Sequence, residues 1–208
     1  MTPERKRCEC CHEAGHAVSG VINEDELLLV VGYAGAAMTD AQREVYERWL
    51  PRTEVRAATL SARRQHKCGC GGNVQCDVLS KRRFHWGNPD CQSCLEFVIR
   101  EVATVRAGGT AVRLLMPEEH NPFRSKGDGR DENTFLADLT EKQRVDGGRQ
   151  TKILAEKWMR EESEAVLALA GVLEERVLGG PEAERIVKQS LRGPSGQLTR
   201  GSTKLLPG

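Results

Sequence analysis

The sequence predicts a mainly α protein with a small β element, and three observations predict it. Aromatic residues make up only 4% of the 208 residues, against 38% hydrophobic residues overall. A core must therefore rest on Leu, Val and Ala, which suits helices better than a β-sandwich. Apolar residues in the C-terminal half recur at spacings of threes and fours, as one helix face requires: Ile153, Leu154, Trp158, Val166, Leu169, Ala170, Leu173 and Val177. The uninterrupted apolar run Leu27 to Val31 has only strand length.

Each element follows from local signals. Thr2 and Pro3 read as an N-cap and a first helical position, opening a helix from about Pro3 to Ile22. Glu26 to Tyr33 reads as a strand. Thr39 or Asp40 caps a helix that ends near Trp49, before Pro51. The basic stretch Arg52 to Lys67 reads as a continuation in helix. Gly69, Gly71 and Gly72 then break regular structure, and five of the eight cysteines fall between Cys68 and Cys94, which marks a compact insert at about 66–94. Helix resumes from about Cys91 to Met116, and Pro117 to Gly129 is a polar loop. A short helix is expected from about Arg130 to Val145, interrupted by Gly147 and Gly148, and a longer one from about Gln150 to Leu178. Gly179-Gly180-Pro181 closes that helix and opens a short one to Leu191. Residues 1–191 thus read as one domain carrying the cysteine-rich insert. Residues 192–208, rich in Gly, Ser and Pro, read as a disordered tail.

Charge and hydropathy bound the function. The net charge is +1, so there is no global electrostatic pull toward nucleic acid or an anionic membrane. No apolar run reaches the roughly 18 residues of a membrane span. The charged segment Met1 to Arg7 lacks the apolar stretch of a signal peptide. These features predict a cytoplasmic protein, where cysteines serve as metal ligands or free thiols rather than disulfides.

The chemistry concentrates in His12-Glu13-Ala14-Gly15-His16. Histidines four residues apart on a helix share one face, about one turn apart, and their nitrogens can hold one Zn²⁺ at roughly 2.0–2.1 Å. Glu13 follows the first histidine, so its carboxylate can reach a zinc-bound water without ligating the metal. Zinc lowers the pKa of that water toward about 7, and a carboxylate there takes its proton. The pattern is that of a zinc-dependent metalloendopeptidase, with Glu13 as general base. Ala14, Gly15 and Ala17 are small and let a substrate or a second helix approach. A catalytic zinc takes a third protein ligand. Position 22 is Ile22, so the third histidine of the extended motif is absent. Acidic candidates lie at Asp128, Asp131, Glu132 and Asp138.

His12-Glu13-Ala14-Gly15-His16-Ala17 is similar to the signature of the FtsH/paraplegin-type zinc peptidases. Three later segments resemble the same peptidase domain. Ala107-Gly108-Gly109-Thr110-Ala111 resembles the helix that packs behind the site. Ser125-Lys126-Gly127-Asp128-Gly129-Arg130-Asp131 resembles the loop whose terminal aspartate binds zinc. Val166 to Val187 looks like the C-terminal helical hairpin. The resemblance implies a helical zincin-like domain in which His12, His16 and Asp131 bind zinc and Glu13 is the base. The sequence departs from the pattern at Val112, where a glutamate is usual, and at Glu132, where an aliphatic residue is common. Asp138-Leu139 restores an Asp–aliphatic pair at the wrong spacing, so Asp131 is preferred over Asp138. The chain contains no G-x-x-x-x-G-K-[ST] phosphate loop. A polypeptide substrate would be flexible or already unfolded, and any ATP-driven unfolding would come from a separate ATPase or from assembly with other copies.

Cys68-Gly69-Cys70, Cys76 and Cys91-Gln92-Ser93-Cys94 are candidate ligands of a structural zinc, because tetrahedral thiolate sites use paired cysteines on tight turns. The spacing matches no standard finger. Cys8 lies four residues before His12, on the same helix face, as a packing residue or a neighbour of the metal. Arg63, Arg64, Lys67, Lys81, Arg82 and Arg83, with Phe84 and Trp86, support a rival class, a zinc-stabilised nucleic-acid or partner-binding module. The net charge disfavours nucleic acid. A third class is an inactive peptidase-like domain that keeps zinc and cleaves nothing.

Overall fold

The computed structural model describes residues 1–50, 54–62, 65–70, 73–75, 91–119 and 139–191, with backbone alone at 65–67 and 73–75. The chain is mainly helical with a small three-stranded sheet. Helix α1 spans Pro3–Ile22. Thr2 caps it by accepting a hydrogen bond from Arg5 N, which satisfies one of the orphan amides of the first turn. Strand β1 (Glu26–Val31) follows, then α2 (Asp40–Trp49), which opens on a capping box between Thr39 and Gln42.

Residues assigned to helix between Arg52 and Lys67 form strands instead, β2 (Ala58–Ala62) and β3 (Gln65–Lys67). The correction has a tertiary cause. β1 is buried on both faces and exposes its ladder groups to a neighbour, and Ala58–Ala62 supplies the antiparallel partner. Strand formation reflects such pairing more than intrinsic preference. The register sets Val30 opposite Thr59 and Leu29 opposite Leu60, with an irregularity between Leu27 and Leu29. Directly paired residues project to the same face. Val30 therefore faces the α1 core, and Leu29 and Leu60 face a second core with Tyr46 of α2. Strand β4 (Asn73–Gln75) closes a hairpin with β3.

Helix α3 (Gln92–Leu115) packs along α1. Helix α4 runs from Glu141 to Glu161 straight through Gly147 and Gly148, where a break was expected. Each glycine costs a helix about 1 kcal/mol relative to Ala. The contacts of the same helix outweigh that: Leu154, Ala155, Trp158 and Met159 are buried, and Arg106 of α3 donates to Gly148 O at 2.6 Å. The single long helix expected to Leu178 is divided. Glu162 ends α4 and precedes α5 (Ser163–Glu175), and Leu178–Gly179 forms β5, the third strand of the sheet. Helix α6 (Gly180–Ser190) completes the described chain. Gly180 is required there, because a Cβ would collide with the carbonyl of Leu27.

The sheet order is β2-β1-β5. One core joins α1, β1, α3, α4, α5 and α6, and it holds Cys8, Cys10 and Cys11 among its buried residues. A smaller cluster of Cys94, Val98, Val102, Val105 and Leu139 lies along the N-terminal half of α3. Among the described residues no helix is long and apolar enough to cross a membrane. The acidic candidates Asp128, Asp131, Glu132 and Asp138, together with Cys76, the basic residues Arg63, Arg64 and Lys81 to Arg83, Phe84, Trp86 and the tail 192–208, lie outside the described residues.

Candidate metal centres

The α1 helix sets the first centre. His12 and His16 stand one turn apart, their rings edge to face with centroids 4.6 Å apart. Their Nε2 atoms meet at 3.0 Å. Two nitrogens on one tetrahedral zinc would stand roughly 3.3 Å apart, given the usual zinc–nitrogen distance. The pair is therefore close to ligating geometry.

The second support comes from α3. His16 Nδ1 lies 2.9 Å from the backbone carbonyl of Thr104. A carbonyl only accepts, so Nδ1 carries the proton and Nε2 of the neutral ring presents a lone pair toward His12. Holding the other ring nitrogen in this way fixes the tautomer that binds metal. Room for the ring comes from Gly108, where a Cβ would collide with Nε2 and stand 2.7 Å from Cδ2 and 2.8 Å from Cε1. One residue before His16 on α1, a Cβ on Gly15 would stand 2.8 Å from both Ala107 O and Ala111 Cβ. The small residues thus let α1 and α3 approach until a carbonyl of one helix reaches an imidazole of the other. Asn23 and Arg100 keep the two helices in register. Asn23 Nδ2 donates to Glu101 at 2.6 Å, and Arg100 donates to Asn23 Oδ1 at 2.9 Å.

Glu13 follows His12 on α1 and is only 6% exposed. The Thr59 hydroxyl is 2.9 Å from Glu13 Oε2 and 3.0 Å from its backbone carbonyl, sharing one proton between them. Thr59 faces α1 because it pairs with Val30. The sequence reading missed Thr59. Its signal was non-local, since it depends on the β1–β2 register. Cys8 turns its thiol to the carbonyl of Glu119 at 3.6 Å and is buried, which fits the packing role. Burial pushes the Cys10 and Cys11 thiols up to about 12, so they stay protonated at neutral pH. Among the described residues no third His, Cys, Asp or Glu joins the histidine pair in a ligand group. The residues suit a zinc ion as far as they go: two nitrogens, one in the metal-binding tautomer, with an adjacent carboxylate.

The second centre is made of sulfur. Cys68, Cys70, Cys91 and Cys94 bring their Sγ atoms within 4.8 Å of one another, close enough to hold one metal ion. Cys68 and Cys91 are 3.3 Å apart, and Cys70 and Cys94 are 3.6 Å apart. Cys68 and Cys70 sit in the turn of the β3–β4 hairpin, and Cys91 and Cys94 occupy the N-cap and first turn of α3. The Cys94 backbone N–H, then the thiols of Cys68 and Cys70, hold the Cys91 thiol down to about 7. Burial, reinforced by the same neighbours, pushes Cys94 up to about 12.

No protein-family model matches the chain, and no curated protein matches it. What the two centres can do therefore rests on their own geometry.

Proposed function

We propose that the chain is a zinc-dependent metalloendopeptidase of helical, zincin-like design, with His12 and His16 as metal ligands and Glu13 as general base. The observation that carries this reading is the convergence of the two Nε2 atoms at 3.0 Å, with His16 held as the Nδ1–H tautomer by Thr104 and accommodated by Gly108. Two incidental surface histidines would need neither a fixed tautomer nor a glycine shaped to one ring. Asp131 is the proposed third ligand on the strength of the family resemblance.

Zinc at this pair supplies a Lewis acid that acidifies water and polarises a peptide carbonyl. The chain's own residues do the rest. Glu13 is placed next to the ligand helix face and takes a proton from the attacking water. It then returns that proton to the departing amine. Thr59, by donating to Oε2, limits the rotation of the carboxylate. Substrates are flexible or unfolded polypeptides. No phosphate loop exists in the chain, so work on folded substrates would need a separate ATPase.

The test is zinc content, measured by elemental analysis after gel filtration, together with cleavage of a fluorescently labelled, denatured protein. His16→Ala should lose one equivalent of zinc and all cleavage relative to the parent chain. Equal zinc in both proteins would mean that the histidine pair holds no metal, and the peptidase reading would fall. Zinc lost by His16→Ala without any cleavage by the parent chain would identify an inactive peptidase-like domain.

A further inference from the structure

We propose that Cys68, Cys70, Cys91 and Cys94 form a second, structural centre that binds one zinc ion as a tetrathiolate and clamps the β3–β4 hairpin to the start of α3. The geometry suits a single ion. Four sulfurs at about 2.3 Å from a tetrahedral zinc stand roughly 3.8 Å from each other. The sulfurs here lie within 4.8 Å of one another, with two of the separations at 3.3 and 3.6 Å. An all-sulfur tetrahedral set selects zinc or iron–sulfur chemistry, and four ligands with no open position are the mark of a structural zinc.

The surroundings supply what a thiolate centre needs. Binding displaces the protons the four thiols still carry to solvent and leaves the ion with four thiolates, a net charge of about −2. Such charge is stabilised by the amides and dipole of a helix N-terminus. Cys91 and Cys94 occupy that end of α3, as its N-cap and in its first turn. α3 carries no acidic residue in its first turn, whereas α1, α2, α4, α5 and α6 each do: Glu4, Asp40, Glu141, Glu164 and Glu182. The thiolates take the place those carboxylates hold elsewhere.

The packing gives the ion a purpose. Among the described residues, the cluster around Cys94 holds Val98, Val102, Val105 and Leu139 as further buried residues, and Cys68 of the hairpin turn and Cys91 pack against it. Through β2 the hairpin side leads to Thr59, and through α3 the helix side leads to Thr104 and Gly108. A metal between hairpin and helix thus braces both supports of the histidine site without touching it.

The test uses the full chain with His12→Ala and His16→Ala combined, so that cleavage and the first site play no part. Loaded with zinc, this protein should keep one equivalent. Loaded with cobalt(II), it should show the intense sulfur-to-cobalt charge-transfer absorption of a tetrathiolate. Adding Cys70→Ser should reduce that absorption and weaken zinc retention. As a control independent of any variant's folding, the parent chain is alkylated before and after zinc removal by a chelator, and labelled cysteines are mapped by mass spectrometry. Cys68, Cys70 and Cys91 should be labelled only after removal. No metal in the double variant, cobalt absorption without a sulfur band, bound iron in place of zinc, equal labelling in both states, or a recovered Cys68–Cys91 disulfide would each overturn the proposal.

Discussion

The histidine pair and the cysteine cluster reach ligating geometry by opposite routes. His12 and His16 are neighbours because they lie on successive turns of one helix, and α3 adds a carbonyl and a vacant Cβ position to orient them. Cys68 and Cys70 meet Cys91 and Cys94 only because a hairpin turn folds onto a helix N-terminus. Among the described residues the first arrangement offers two nitrogens from one helix. The second brings four sulfurs from two elements. The pair is thus set locally, and the cluster by long-range folding.

That contrast can be broken or sharpened by substitution. The largest effect is expected at Gly108. Gly108→Ala puts a methyl group into the His16 ring, so the ring must turn away from Thr104 and His12. A displacement of about 1 Å at a catalytic group can cost on the order of 100-fold in rate. We expect a loss of that size, with weaker zinc retention at the histidine pair and unchanged thiolate absorption in the cobalt form. Unchanged kcat/KM in Gly108→Ala would show that α3 does not orient the pair.

A smaller effect is expected at Thr59. Thr59→Val keeps the shape and removes the hydroxyl that meets Glu13. Loss of a hydrogen bond to a charged group costs about 1.5–3 kcal/mol. Here it should appear as roughly a tenfold fall in kcat, with zinc content unchanged. A rise in KM alone, with kcat unchanged, would assign Thr59 to substrate binding instead.

The smallest effect concerns thiols that are not ligands. Cys10 and Cys11 are held up to about 12 by burial, against an ordinary value near 8.5 in the unfolded chain. Below the unfolded value both states are protonated and the thiols leave stability unchanged. Above it the unfolded chain gains by ionising while the folded one does not, so stability falls as pH rises from the unfolded value toward 12. The slope should be on the order of 1 kcal/mol per pH unit for each thiol. Chemical denaturation across the alkaline range, with Cys10→Ala and Cys11→Ala as comparisons, should show the fall reduced in each variant.

How much of this was readable beforehand follows from the same contrast. Thr2-Pro3 and Thr39-Gln42 are local capping signals, and α1 and α2 begin where those residues place them. Spacing of four on one helix was enough to put His12 beside His16. The β2 strand was not readable, because Ala58–Ala62 becomes a strand by pairing with β1, and with it went the role of Thr59. Gly147 and Gly148 misled in the other direction. Their helix cost is real, but buried Trp158 and the Arg106 bond to Gly148 lie outside the local window. The cysteine spacing suggested metal without saying which residues would meet. Among the described residues, the hairpin register and the start of α3 bring Cys68, Cys70, Cys91 and Cys94 together.

The most direct test of the central claim is Glu13→Gln, with zinc content and cleavage of a denatured protein measured on the same preparation. Retained zinc with cleavage reduced to background would establish Glu13 as the base of a metal-dependent peptidase. Cleavage at the parent rate would contradict it.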